Sequence, residues 1–454
     1  MTTQRQSIHG QWSSRWMYIL AATGAAVGLG NIWKFPYLTG EHGGSAFVLV
    51  YLLCVALLGI PMMMAEVMLG RRGRQNPINT MRTLAKEANT SRHWQLIGLA
   101  GTLAGVLILS YYSVIGGWTL AYAFRSGTGA FNGATAEQAS SLFSQFVGDP
   151  LGVLGWHTLF MVMTMVVVAR GVRYGLEQAV KYLMPALFIL LVVLVGYATT
   201  TGYFLQGLAF MFAPDFSKLT GTSMLAAMGQ AFFSLSLGMG TIMIYGSYVP
   251  QEISIARTSI VIALADTLIA ILAGIAIFPI VFANGLDPKA AGPGLIFETL
   301  PVAFAQMPGG HLIGVLFFVL LMVAAWTSSI SLIEPAVTVL VENFGMTRLK
   351  ASWLSGLTTW ALGFGTIFSF NVWADYRLFQ KNFFELLDFL TANIMLPLGG
   401  LFLAIFAGWL MAKEASQPEF AMRTTLGFQI WHLLIRYIAP VAMLMIFFVA
   451  VGLL

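Results

Sequence analysis

The chain has 454 residues, of which 58% are hydrophobic and only 9% charged, against roughly 25% charged in an average soluble domain. So little charge cannot coat a soluble globule, and the surroundings that fit are lipid. The net charge of +5 is scattered between apolar runs rather than gathered on one face, which argues against a nucleic-acid partner and for a role in membrane topology.

A bilayer crossing needs about 20 predominantly apolar residues. In chain order the sequence predicts eleven such spans, at residues 13–39, 43–70, 94–124, 150–169, 174–200, 219–249, 256–284, 311–343, 351–369, 382–411 and 429–453. Several exceed the bilayer thickness, which implies tilt or extension into water. Ahead of the first, Arg5 and Arg15 flank no short apolar core with a small-residue cleavage site, so the first span is expected to be retained rather than removed as a signal peptide. Cys54, alone in the second, permits no intramolecular disulfide. Connections 125–149 and 285–310 are longer and carry Gly, Pro and Ser, and no stretch reads as a separate soluble domain. The expectation is one transmembrane domain covering 1–454.

Loop charge predicts orientation, because basic loops stay cytoplasmic. One set holds Arg5, Arg15, Arg71, Arg72, Arg74, Arg82, Lys86, Arg92, Arg170, Arg173, Arg257, Arg348, Lys350, Lys413 and Arg423; the other holds only Arg125, Lys218, Lys289, Arg377 and Lys381. The N-terminus is expected inside and, with an odd number of spans, the C-terminus outside.

The first span contains Gly24-Ala25-Ala26-Val27-Gly28-Leu29-Gly30-Asn31 and the sixth Ser234-Leu235-Ser236-Leu237-Gly238-Met239-Gly240. Each pair of glycines one residue apart, taken alone, reads more readily as close helix packing. Two pairs at the first helix of each five-span half, 13–200 and 219–411, read instead as broken helices of an inverted repeat around a central site, with 429–453 as an extra eleventh helix. Unwound backbone in lipid leaves unpaired N–H and C=O groups and survives only around a buried cavity. Half-helix N-termini favour an anion and freed carbonyls a cation, so a carboxylate-bearing substrate together with an alkali cation suits both.

Charge inside the membrane costs roughly 2.5–3.5 kcal/mol on insertion scales, which singles out Lys34, Glu66, Asp266 and Asp388. For Lys34, snorkelling to the interface explains the charge equally well. His9, His42, His93, His157, His311 and His432 make no His-Glu-x-x-His pair and no Gly-x-Ser-x-Gly elbow is present, which argues against an intramembrane enzyme. A channel or a ligand-sensing receptor on the same scaffold remains open.

The run Trp12 to Gly44, with Ala26-Val-Gly-Leu-Gly-Asn-Ile-Trp-Lys-Phe-Pro36 and Glu41-His-Gly-Gly44, resembles the first-helix signature of the neurotransmitter:sodium symporter family. Gly59-Ile-Pro61 with Glu66, Tyr111-Tyr112, Phe232-Phe-Ser-Leu-Ser-Leu-Gly238 and Thr327-Ser-Ser329 extend the resemblance over nearly the whole chain. It implies an all-α polytopic membrane protein of LeuT-type 5+5 inverted-repeat fold with helices 1 and 6 unwound at mid-membrane. The eleven-span length is similar to bacterial members, hence a prokaryotic plasma (inner) membrane. The implied activity is symport of hydrophobic or aromatic amino acids with sodium, two ions per substrate, with no organic cofactor.

By the same resemblance the first sodium site would use Ala26, Asn31, Ser234 and Asp266, and the second Gly24, Val27, Ala324, Thr327 and Ser328. Without the resemblance, Thr327 and Ser328 read more simply as hydroxyls bonded back to their own helix. Substrate contacts would fall to Ala25, Ala26, Leu29, Gly30, Ile108, Tyr112, Phe233, Ser234, Ser236, Gly238, Met239, Ser328 and Leu332. Most of these are apolar, which suits an apolar side chain, and the flexible thioether of Met239 stands where relatives carry an aromatic residue. Glu66 would bind peptide N–H groups of the unwound sixth helix. Chloride-dependent relatives carry Asn where this chain has Asp266 and Ser where it has Ala270, so chloride-independent transport is expected, with Asp266 open to protonation on the empty return.

Lys34 and Asp388 correspond to an outer gate, with Lys a departure from Arg that loses the bidentate fork. Trp12, Ser247, Tyr248 and Glu342 correspond to an inner gate, whose Arg or Lys is here His9, with Arg5 the alternative cation. Gly175 and Pro185 correspond to a segment that opens a water path toward the second sodium; an isolated proline would read as a static kink.

Overall fold

The computed structural model of the chain describes residues 5–213, 215–286, 295–420 and 425–453. Lys289 and Arg423, counted above among the loop charges, lie outside them. Among the described residues the architecture is helical; extended pairing is confined to an isolated antiparallel bridge between Leu378 and Lys381.

In chain order the principal helices are α1 (Arg15–Ala26), α2 (Phe35–Glu41), α3 (Ser45–Gly73), α4 (Arg92–Gly127), α5 (Pro150–Ala169), α6 (Val172–Thr201), α7 (Gly221–Ser234), α8 (Thr241–Ser247), α9 (Ile255–Ala283), α10 (Gly310–Phe344), α11 (Arg348–Phe368), α12 (Phe383–Leu410) and α13 (Leu426–Ala450). Eight of them, α3 to α6, α9, α10, α12 and α13, are long and apolar enough to cross a membrane. The 21 residues of α11 include several Ser, Thr and Gly that lower its hydropathy. Helices α1, α2, α7 and α8 are each too short, because the run of α-helix is interrupted between Ala26 and Phe35 and again between Ser234 and Thr241.

Local chemistry sets the ends. The Asp149 side chain accepts the Leu151 N–H and Pro150 occupies the first turn of α5, where its missing N–H costs nothing. Helix α10 stops where Gly345 turns left-handed at φ 65°.

Small residues then decide how closely helices approach. A Cβ on Gly105 of α4 would lie 2.8 Å from the Leu332 carbonyl of α10, and one on Gly101 3.0 Å from the Gly240 amide, so α4 runs directly against α10 and the second interruption. Helix α1 is lodged among α6, α9 and α10, which encloses the first interruption in protein. The outer surface is apolar: α6 exposes Phe188, Ile189, Val192 and Val193, and α13 exposes Val441, Leu444 and Met445, faces that match lipid rather than water.

Candidate functional site

At the first interruption Val27 leaves the helical backbone (φ −69°, ψ 116°), and the chain resumes as a wide turn at Gly30–Lys34. Helical bonding is lost here, and side chains replace it. The Gly28 N–H donates to Asn31 Oδ1 at 3.1 Å, and the Leu29 N–H to the Tyr112 hydroxyl oxygen at 3.0 Å. The freed carbonyls are met in turn: Ser236 Oγ donates to Ala25 O at 2.8 Å, Ser328 Oγ to Val27 O at 2.9 Å, and Gln230 Nε2 to Gly30 O at 2.8 Å. A Cβ on Gly28 would stand 2.6 Å from both Ser328 Oγ and Tyr112 OH, so only glycine lets these three residues converge.

The second interruption turns through Ser236 (φ 53°), Gly238 (φ 79°) and Gly240 (φ 72°). Left-handed backbone suits the glycines and strains the serine. Glu66, fully buried in α3, accepts the Gly238 N–H at 2.6 Å and so supports the turn from below.

The structure gathers the residues predicted for the two ion sites into two groups. In one, Asn31 Nδ2 donates to Asp266 Oδ1 at 2.7 Å and to the Asp266 carbonyl at 3.2 Å, while Ser234 Oγ lies 3.3 Å from Tyr51 OH. Ala26 is the last residue of α1. Asp266 is fully buried, and its Oδ2 has no hydrogen-bond partner among the described residues. In the other group Ser328 bonds Val27, Thr327 Oγ1 bonds the Ala324 carbonyl at 3.1 Å, and a Cβ on Gly24 would be 3.5 Å from Thr327 Cβ. The first set offers carbonyl, hydroxyl, amide and carboxylate oxygens and the second carbonyl and hydroxyl oxygens, the chemistry that fits a hard cation. The unpartnered Asp266 oxygen marks the first set as one oxygen richer than the protein itself satisfies.

A cavity of ≈ 190 Å³ opens above these groups, lined by Leu29, Gly30, Trp33, Lys34, Tyr37, Tyr111, Tyr112, Ile115, Phe233, Phe384 and Asp388. Of the predicted substrate residues it therefore reaches Leu29, Gly30, Tyr112 and Phe233. Ala25, Ala26, Ile108, Ser234, Ser236, Gly238, Met239, Ser328 and Leu332 are buried and lie off it. The Phe233 ring stands at this boundary, 3.3 Å from where a Cβ on Gly30 would be. Lys34 and Asp388 both line the cavity but do not form an ion pair: Lys34 Nζ sits 4.4 Å from the Phe233 ring centroid, and Asp388 accepts from Tyr111 OH at 3.3 Å.

The residues expected at the inner gate form a denser network. The Trp12 amide donates to the Tyr248 carbonyl and its indole to the Tyr245 carbonyl, both at 3.0 Å. Ser247 Oγ bonds back to Ile244 O at 2.7 Å, while its carbonyl accepts Arg74 Nη1 at 3.0 Å. Tyr248 OH donates to Glu334 at 2.8 Å, and Arg348 forks onto the same carboxylate at 2.9 and 2.5 Å. Glu342 accepts the Asn76 amide and lies 3.1 Å from His9 Nε2. Gly175 sits in a wide turn at the start of α6, and Pro185 lies within the same helix. Met184, next to that proline, reaches Gly24: its Sδ would be 3.1 Å from a Cβ there.

Sequence reasoning passed over Glu334, Arg348, Gln230 and Glu177. Glu334 was visible as a carboxylate inside a predicted span, and burying it demands a cation. Arg348 was read only as a loop charge.

A model of the sodium:neurotransmitter symporter family matches residues 9–143 and 144–453. The chain is 38% identical to an uncharacterised sodium-dependent transporter, YhdH, of Bacillus subtilis over 98% of both chains. It is 35% identical to an uncharacterised sodium-dependent transporter of Haemophilus influenzae over 98% of this chain and 99% of that one. Among solved structures, that of MhsT in complex with L-phenylalanine superposes with a TM-score of 0.90 at 43% identity, covering 97% of this chain and 99% of MhsT.

Proposed function

Because the chain belongs to the sodium:neurotransmitter symporter family and is thus a sodium-dependent membrane transporter rather than an enzyme, we propose that it imports hydrophobic or aromatic amino acids by alternating access. The observation that carries this reading is the meeting of two interrupted helices, with Ser236 of one bonded to Ala25 of the other and Asn31 of the first bonded to Asp266 beside the second. Such a meeting places peptide donors and oxygen acceptors side by side, as a zwitterion travelling with a cation requires.

In this reading the chain is a single domain of eleven spans in a LeuT-type 5+5 repeat, 13–200 and 219–411, with 429–453 as the extra helix. Spans 1 and 6 are unwound at mid-membrane, in a prokaryotic plasma membrane with the N-terminus cytoplasmic and the C-terminus outside. The Leu29 and Gly30 amides and Tyr112 receive the substrate carboxylate. Ala25, Ile108, Ser236, Met239, Ser328 and Leu332 surround its side chain, and Phe233 closes over it. MhsT, so similar along its whole length, was solved with L-phenylalanine, which supports an apolar side chain as cargo.

One sodium ion is held by Ala26, Asn31, Ser234 and Asp266, and a second by Gly24, Val27, Ala324, Thr327 and Ser328. The Asp266 carboxylate supplies the negative charge that a chloride ion would otherwise bring, so transport is chloride-independent. The test is accumulation of radiolabelled amino acids in proteoliposomes under an inward sodium gradient, with the common amino acids as competitors. Saturable, sodium-driven accumulation competed by phenylalanine and leucine is expected, unchanged when gluconate replaces chloride. Binding without accumulation would indicate a sensor and overturn the assignment.

A further inference from the structure

The last two long helices meet at matching irregularities. Helix α12 ends in a wide turn at Phe406–Leu410, and α13 carries another at Leu434–Ile438. A Cβ on Gly408 would stand 2.9 Å from Arg436 Cα, so the two turns touch backbone to backbone. Such turns inside a helix often mark functional sites.

Arg436 is the charge held at this contact. It lies well inside α13, about 15 Å along the axis from Leu426 at 1.5 Å per residue. Charge inside a span is costly and calls for a partner. The Arg436 carbonyl accepts the Trp409 indole N–H at 2.8 Å, and the guanidinium carbon lies 4.2 Å from the Trp409 ring centroid and 5.6 Å from that of Tyr437. The rings hold the cation without neutralising it. Among the described residues no carboxylate pairs with Arg436, and its buried Nε has no hydrogen-bond partner. Glu419, on the connection between the two helices, is taken by Arg71 and Arg72.

More basic side chains stand close by. His432, one turn earlier on α13, is within electrostatic reach of both Lys413 and Arg436. The surroundings are otherwise apolar: Trp409, Leu433, Tyr437, Ile438 and Val441 are all exposed, a surface that in a bilayer faces acyl chains. An anion that reaches the guanidinium from this side must therefore bring hydrocarbon with it.

We propose that the contact between Gly408 and Arg436 is a binding site for an anionic phospholipid, whose phosphate accepts from the Arg436 guanidinium while its chains lie along Leu433, Tyr437 and Val441. Arginine suits the task, because its planar fork matches two phosphate oxygens and is more weakly hydrated than an ammonium group. A zwitterionic headgroup would add an ammonium to a cluster that already holds Lys413 and Arg436, so a headgroup of net negative charge is preferred. The lipid belongs to the leaflet on the side of the 411–424 connection, cytoplasmic in the orientation proposed above. The site does not depend on what the protein transports.

The test reconstitutes the full chain in vesicles of phosphatidylcholine brominated on its acyl chains, with unbrominated lipids as competitors. Trp409 reports the site. Its emission is the difference between each protein and its Trp409→Phe counterpart, which keeps a ring for the guanidinium. Phosphatidylglycerol should displace the quenching lipid about fivefold or more better than unbrominated phosphatidylcholine does, the advantage of one cation near the surface. Arg436→Gln should bring that ratio down to about one, and Arg436→Lys should keep most of it. Inorganic phosphate should not relieve the quenching.

Lys413→Gln, at an exposed position, should lower the ratio in the same direction, and it serves where Arg436→Gln does not elute as a single species. An arginine that only stiffened the helix contact would change the thermal unfolding midpoint and leave the ratio as it was. A parent that does not distinguish the two lipids, a ratio that no charge-removing variant lowers, or relief of quenching by inorganic phosphate overturns the inference. The ratio is read without transport, so its failure and that of the uptake assay are separate results.

Discussion

At the scale of single residues, the site is built from partners that stand in for lost helical bonds, and each is open to a defined substitution. Gly28→Ala would place a methyl 2.6 Å from Ser328 Oγ and Tyr112 OH, displacing both from the carbonyl and amide they serve. Substrate affinity in the presence of sodium should fall by about tenfold or more, worth about 1.4 kcal/mol, as read by radioligand binding on protein that still elutes as a single species. The Arg348–Glu334 pair is a different case, because it is remote from the substrate and Glu334 is fully buried. Removing one partner of a buried pair costs about 3–5 kcal/mol through the charge left behind. Arg348→Ala should lower the thermal unfolding midpoint clearly, and Arg348→Lys should fall between, since it keeps the charge and loses the fork.

At the scale of elements, helix α6 joins a wide turn at Gly175, a proline at 185 and a side chain, Met184, that abuts Gly24. Pro185→Ala restores a backbone donor and removes the clash with the preceding turn. If loosening of this helix admits water to the second ion group, the stiffened variant should bind substrate with unchanged affinity and turn over about threefold or more slowly, a split resolved by comparing equilibrium binding with initial uptake rates.

Glycine pairs at 28/30 and 238/240 stand out in their apolar runs, and α-helix stops beside them, between Ala26 and Phe35 and between Ser234 and Thr241. Their bonding partners were less legible. His9 meets Glu342 across 333 residues of chain, and nothing local in either sequence context names the other. Lys34 and Asp388 are a related case: the sequence places both near the ends of their spans and the structure lines one cavity with both, but their partners, the Phe233 ring for the lysine and the Tyr111 hydroxyl for the aspartate, could not be read from local sequence.

At the scale of the whole molecule, the reading of two sodium ions with a zwitterion moves two net charges inward per cycle. Each is worth about 2.3 kcal/mol per 100 mV, so the pair supplies about 4–5 kcal/mol and roughly a thousandfold accumulation before any concentration gradient is counted. Uptake should therefore rise steeply when a potassium diffusion potential makes the vesicle interior negative, and a potential-independent plateau would exclude net charge transfer. Asp266→Asn replaces the carboxylate bonded to Asn31 with an amide that can carry no charge. Sodium-driven uptake should collapse in gluconate, and any recovery on adding chloride would trace the missing charge to that carboxylate.

The hydroxyl of Ser328 rests on the Val27 carbonyl, and that of Thr327 on the Ala324 carbonyl. A rotor of this kind faces two ways: turned inward it shields a bare carbonyl with its own hydrogen, and turned outward it offers a lone pair. In the proposed cycle these bonds would cover the Val27 and Ala324 carbonyls whenever the second ion group is empty, leaving no bare peptide dipole there. Ser328→Ala would then remove both a ligand of the proposed second sodium and the cover of the Val27 carbonyl, so sodium-driven uptake should fall about tenfold or more, as read by initial rates over a range of sodium concentrations.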